Sequence, residues 1–194
     1  MQLQWQNEHL NTAKQQIHVY TNMRCGNHRF CELFNELFKP NARLQKEIDF
    51  HHSHLTGKYI SISFRFTTLL GDFTDCTGAP LPEAERIKLI QQSLDVVEKI
   101  KVSAPAHNMV LVTADSERFL AEVSKLAGVY VIPGKVGHID YDHGDDVNMK
   151  TFLDFFLISG AQKVYLAKGK GMYNSAFAKT AALVNNREFE MYEY

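Results

Sequence analysis

The stretch YISISFRFTTLLGD, Tyr59 to Asp72, decides the fold class. From Tyr59 to Phe64 it carries only apolar and small residues, the pattern of a strand buried on both faces, and that strand is expected to span Tyr59 to Phe66. Near its end it delivers one arginine, Arg65, towards a Thr-rich turn closed by Gly71-Asp72. A guanidinium is a planar fork of N–H donors that matches phosphate oxygens, so an arginine placed this way suits gripping a phosphate. An unpaired buried cation is costly, so Arg65 needs an anion: a bound phosphate, or a structural ion pair to Asp72 or Asp75.

Short apolar runs and longer helical stretches alternate downstream, the signature of strands joined by helical crossovers in a parallel sheet. Glu83 to Ile100 places Ile87, Ile90, Leu94, Val97 and Ile100 at helical spacing, and Met109 to Thr113 reads as a second buried strand. Asp115 or Ser116 caps a helix running to about Leu126. Val129 to Ile132 is a third strand stopped by Pro133-Gly134, and a polar loop covers Lys135 to Asp146. The apolar helix Asn148 to Ser159, the strand Lys163 to Leu166 and a helix from Asn174 or Ser175 to Val184 complete the pattern. The predicted class is α/β, a Rossmann-like parallel sheet with helices on both faces, over residues 57–194. Residues 1–56 form an N-terminal flank, with a strand at Ile17 to Thr21 and helices at Phe30 to Phe38 and Ala42 to Phe50. Phe189 to Tyr194 reads as a packed tail or an interface.

The chain has 194 residues, 45% hydrophobic and 22% charged, enough to bury one ordinary core. A net charge of −1 argues against a surface built for nucleic acid or an anionic membrane. No apolar run is long enough to span a bilayer, and Met1 to Leu10 lacks the regions of a signal peptide. Cys25, Cys31 and Cys76 cannot all pair within the chain and fit free thiols, so the expected compartment is the cytoplasm.

Gly169-Lys170-Gly171, followed by Ser175, Ala176 and Phe177, offers backbone N–H groups and a hydroxyl at a helix N-terminus, an arrangement that attracts anions. A capped helix after a glycine loop is the plainer account. Asp115 ends the second strand, where a carboxylate reaches a ribose hydroxyl or a base edge, or caps a helix. Lys168, Lys170 and Arg118 are further candidates to neutralise a diphosphate, solvated loop side chains being the plainer account. The clusters His51-His52-Ser53-His54 and His138 to Asp146 lack a standard zinc spacing, so no metal is expected. Gly-x-Ser-x-Gly, Walker and dinucleotide glycine motifs are missing.

In order and character these pieces resemble the fucosyltransferase superfamily, which includes α-1,2-, α-1,6- and protein O-fucosyltransferases. Ser63-Phe64-Arg65 is similar to the family's His-x-Arg motif, and Thr113-Ala114-Asp115 to its Thr-Asp strand end, with one residue inserted. Asp154 to Ser159 resembles its Asp-x-x-x-x-Ser helix, and Ser175-Ala176-Phe177-Ala178 its Ser-Ser-Phe-Ser element. Phe34 to Pro40 is similar to the segment preceding the arginine strand. The chain departs from the pattern at Ser63, Phe66, Ala176 and Ala178. The resemblance implies the C-terminal, donor-binding half of a GT-B fold that transfers a sugar, GDP-fucose being the implied donor, to a glycan hydroxyl in polysaccharide biosynthesis. It implies Arg65 as the catalytic contact to the leaving diphosphate, Asp115, Ser175, Ala176 and Phe177 as donor-binding residues, no cofactor and no metal. The acceptor-binding half is then separate or missing. A non-catalytic binding or assembly module that keeps the fold is the alternative.

Overall fold

In the computed structural model, which describes residues 27–73, 78–104, 109–137 and 144–194, the stretch Tyr59–Phe64 is a fully buried strand, β1, at the centre of a parallel sheet. Its partners are β2 (Met109–Ala114), β3 (Val129–Tyr130), β4 (Lys163–Lys168) and β5 (Glu188–Glu193), in the order β3-β2-β1-β4-β5. Among the described residues six helices accompany them: α1 (Asn27–Leu37), α2 (Ala42–His54), α3 (Glu83–Ser103), α4 (Glu117–Val123), α5 (Asp145–Gly160) and α6 (Phe177–Val184). The expected Rossmann-like α/β arrangement is present.

Two apolar layers follow from the pleat of β1, whose alternate side chains point to opposite faces. Ile60, Ile62 and Phe64 pack with Val96, Val97 and Ile100 of α3 and with Phe119 and Val123 of α4. On the other face Tyr59 and Val164 meet Leu153, Leu157 and Ile158 of α5 and the small residues Ala178, Ala181 and Ala182 of α6. The phenol of Tyr59 donates to the Leu157 carbonyl at 2.6 Å, so the largest polar group in this layer is satisfied.

Local chemistry explains the boundaries. β1 stops at Phe64, two residues before the expected end, because the N–H groups of Phe66 and Thr67 bond a side chain instead of a neighbouring strand. Ser116, and not Asp115, caps α4, its hydroxyl accepting from Phe119 N at 3.1 Å. The third strand is two residues long, and α6 starts at Phe177. The strand expected at Ile17 to Thr21 lies outside the described residues. α1 lies against α6, with Asn35 Nδ2 donating to the Val184 carbonyl at 2.8 Å. Its neighbour α2 is capped by Asn41 and lies against α5.

The tail is a strand. β5 pairs with β4 over six residues, and Lys163 binds both Glu188 at 2.6 Å and Glu190 at 2.7 Å. Acidic side chains along an edge also discourage pairing with another chain.

Phe119 is fully buried, with its ring 4.7 Å from Phe64 and 5.0 Å from Phe66. Phe119→Ala is expected to cost about 3–5 kcal/mol in urea unfolding, from lost burial plus the cavity left behind.

Candidate functional site

Register builds the site. Phe64 stands beside Ala114 of β2 and Ala167 of β4, so Arg65 and Asp115 leave the sheet side by side at its C-terminal edge. From β1 the chain steps outward through β2 to β3, whereas β4 is placed on the opposite side of β1. Such a reversal opens a crevice at the carboxyl ends of the strands. A cavity of about 360 Å³ lies there, bounded by Ser63, Arg65, Thr113, Asp115, Lys150, Asp154, Tyr173 and Ser175 among others.

Asp115 is 5% exposed and is held by three donors. Its Oδ1 accepts from Phe66 N and its Oδ2 from Thr67 N, both at 2.7 Å, while Arg65 Nε lies 3.3 Å from Oδ2. This carboxylate therefore turns the chain at the end of β1. Thr67 takes φ of 54°, a left-handed conformation that costs a β-branched residue on the order of 1–3 kcal/mol unless its surroundings impose it. Burial raises the Asp115 carboxyl above its ordinary value, opposed by Arg65 and by the two backbone N–H groups.

Arg65 is fixed on several sides. Its guanidinium carbon sits 4.7 Å from the centroid of the Phe73 ring, and its carbonyl accepts from Tyr173 N at 3.1 Å. That second bond ties the β1 turn to the loop between β4 and α6. The ion pair considered from sequence involves Asp115; Asp72 instead accepts from the Ser116 hydroxyl and Arg118 N, both at 2.8 Å. Asp75 lies outside the described residues.

Of the residues singled out in the sequence, Arg65, Asp115, Ser175 and Phe177 share this cavity wall; Ala176 is the exposed N-cap of α6 and does not line it. Ser175 Oγ accepts from Phe177 N at 3.2 Å, so one N–H expected to face an anion is capped by the chain itself, while the hydroxyl proton stays available. Ser63 Oγ and Thr113 Oγ1 are 2.8 Å apart on the cavity floor. Lys168 and Arg118 are engaged elsewhere, with Glu193 at 3.6 Å and with Glu83.

One pair was not anticipated as a pair. Lys150, 5% exposed, places Nζ 2.6 Å from both oxygens of Asp154, and both residues line the cavity. The stem of Lys150 lies against Gly134, where an added Cβ would meet its Cδ at 3.2 Å. Burial raises the Asp154 carboxyl, opposed by Lys150. Two charges four residues apart on the otherwise apolar helix NMKTFLDFFLIS were the available signal. The histidine cluster on α2 does other work: His51 Nδ1 is 2.7 Å from the Tyr130 hydroxyl, and His54 Nδ1 is 2.9 Å from the Phe50 carbonyl. Among the described residues no group of three or more His, Cys, Asp or Glu gathers with metal-binding geometry.

No family model matches the sequence, and no curated protein is found similar to it. Solved structures are. A NodZ α-1,6-fucosyltransferase soaked with GDP-fucose superposes with a TM-score of 0.54 at 17% identity, over 82% of this chain and 47% of that one. The same enzyme co-crystallised with GDP, and NodZ from Bradyrhizobium, give 0.54 at 18% identity over 79% of this chain and 45% of theirs. The fold is fucosyltransferase-like. It corresponds to the C-terminal half, and the chain spans less than half the length of the NodZ structures it matches. Among the described residues no helix is long and apolar enough to cross a membrane.

Asp115→Asn strands Arg65 beside a neutral amide and sets an NH₂ against a backbone N–H. The expected loss is about 3 kcal/mol or more in urea unfolding at pH 7. Because the folded pKa of Asp115 is raised, the folded chain holds a proton that the unfolded chain releases. Wild-type stability relative to Asp115→Asn should therefore fall as pH climbs from the ordinary carboxylate range through that raised value. Unfolding curves of both proteins at pH 4 to 7 measure it.

Proposed function

We propose that this chain is the donor-binding unit of a fucosyltransferase-like glycosyltransferase that takes a nucleotide-diphosphate sugar, GDP-fucose in particular, and passes the sugar to a glycan hydroxyl. The observation that carries the reading is Arg65 on the wall of a cavity at the carboxyl ends of β1, β2 and β4, held from behind by Asp115. In the transfer, the bond between the anomeric carbon and the diphosphate breaks as the acceptor oxygen bonds that carbon, and negative charge grows on the leaving diphosphate. A guanidinium fixed beforehand stabilises that charge without reorganising as it forms.

In this reading Arg65 is the catalytic contact to the diphosphate. Ser175 donates its hydroxyl to a phosphate oxygen, and Ala176 and Phe177 bring the start of α6 up to the same group. Asp115 positions Arg65; a ribose hydroxyl or an N–H of the base edge would add a further donor to its carboxylate. The reaction calls on no metal, because Arg65 meets the charge. The acceptor half and the general base belong to a separate or further domain. Cytoplasmic placement and a part in polysaccharide biosynthesis belong to the same proposal.

A second reading, a binding module that retains the fold without the reaction, draws on Ser63. Its hydroxyl is turned to Thr113, in the place where the resemblance puts a histidine.

Calorimetric titration with GDP, GDP-fucose and UDP tests the proposal. GDP and GDP-fucose should bind and UDP should bind more weakly. Arg65→Ala should weaken GDP about 10- to 100-fold, as expected for loss of a hydrogen-bonded charge contact, and Ser175→Ala by less. Binding with no sugar transfer once an acceptor domain is supplied would favour the module. Absence of nucleotide binding would overturn the transferase reading and leave a module that shares only the fold.

A further inference from the structure

The turn that brings Tyr173 and Ser175 to the cavity is held from its far side by Tyr194, one residue past β5. The backbone N–H of Tyr194 donates to the Lys168 carbonyl at 3.2 Å, and its hydroxyl lies 2.7 Å from Ser93 Oγ on α3 and 3.4 Å from the sulfur of Met172. Ser93 is fully buried and gives its single proton to the Leu89 carbonyl at 2.8 Å, so Tyr194 is the donor in their contact. The sulfur of Met172, itself buried, also accepts from Gly169 N at 3.1 Å. Gly169 has no room for a side chain in this packing. An added Cβ would stand 3.2 Å from the Met172 sulfur and 3.2 Å from both Cε2 and Cζ of the Tyr194 ring.

From Met172 the constraint enters the cavity through two backbone bonds. Tyr173 N donates to the Arg65 carbonyl at 3.1 Å, and Ser175 N donates to the Tyr173 carbonyl at 3.1 Å. Between them and β4 stand Gly169 and Gly171, the latter at φ of 81°, so the turn has little stiffness of its own. Its place is therefore set by what packs on it. The ring of Tyr194 and the side chain of Met172 supply that packing, and α3, reached through Ser93, is the rigid support behind them.

We propose that Tyr194 is a positioning residue for the donor cavity: by bracing Gly169 and Met172 against α3 it sets the bond between Tyr173 and Arg65 and the reach of the Ser175 hydroxyl. This rests on the nucleotide reading of that cavity. Tyr194 is outside the cavity lining and acts only through the turn.

Two readouts on the full chain test it. Amide hydrogen exchange without nucleotide reports the bond from Tyr173 to Arg65, which must open before the Tyr173 N–H exchanges. In Tyr194→Ala, exchange at Tyr173 should quicken by a larger factor than at Ile60 to Phe64; equal factors would mark a general loss of stability and overturn the proposal. Calorimetric titration with GDP, at a temperature where each variant is folded, should show affinity weakened about 2- to 30-fold in Tyr194→Ala. The loss should be smaller in Tyr194→Phe, which keeps the ring against Gly169. Adding Ser175→Ala should cost less affinity in Tyr194→Ala than in the wild-type chain, since the hydroxyl it removes is no longer in place. Wild-type GDP affinity in Tyr194→Ala would overturn the proposal; where that variant does not fold, wild-type affinity in Tyr194→Phe would do so. Absence of GDP binding by the wild-type chain would bring down the donor reading and this role with it, whereas a failure confined to the variants would bring down only the role of Tyr194.

Discussion

The structure turns on one buried carboxylate. Asp115 gathers Phe66 N, Thr67 N and Arg65 Nε at the end of the central strand, and each donor solves a different problem. The two backbone bonds end β1 and hold Thr67 in a left-handed conformation. The third supplies the anion without which a half-buried guanidinium would be expensive. Burial works against the charge on Asp115 and raises its carboxyl, and Arg65 and the backbone N–H groups oppose that without cancelling it.

The sheet converts that local clamp into a site. Parallel register brings the ends of β1, β2 and β4 level, and the reversal of strand order at β1 opens the crevice beside them. Two cation–carboxylate pairs border the cavity, Arg65 with Asp115 and Lys150 with Asp154. Each cation has its own partner, so the cavity does not depend on a ligand for charge balance. The tie from Arg65 O to Tyr173 N fixes the strand turn to the loop that leads into α6, so both sides of the cavity are set by one backbone contact.

The fold was legible because β1, β2 and the middle of β4 are buried on both faces and are written as runs without charge, the two lysines of β4 standing only at its ends, between helical stretches. β5 was not: Phe189 to Tyr194 read as a packed tail or an interface, and although Glu188 to Glu193 alternates charged with apolar residues, the backbone bonds to β4 and the contacts of Lys163 that hold the strand are long-range. For the site, Arg65 could be found from the cost of burying a guanidinium. Its partner was sought in nearby Asp72 or Asp75, but parallel register joins residues fifty positions apart, so the partner, Asp115, lies just past the end of β2. The capping of Phe177 N by Ser175 depends on where α6 starts, which is decided by packing and not by the residue types alone.

The proposed donor site seats a nucleoside diphosphate at the carboxyl ends of β1, β2 and β4, against Arg65. Amide chemical-shift mapping of the isotopically labelled chain during addition of GDP tests it most directly. The largest shifts are expected at Phe64 to Thr67, Val136 to Gly137 and Tyr173 to Ala178, with the exposed outer edge at β5 silent. Shifts centred on β5 or on α3, or an unchanged spectrum at saturating GDP, would contradict it.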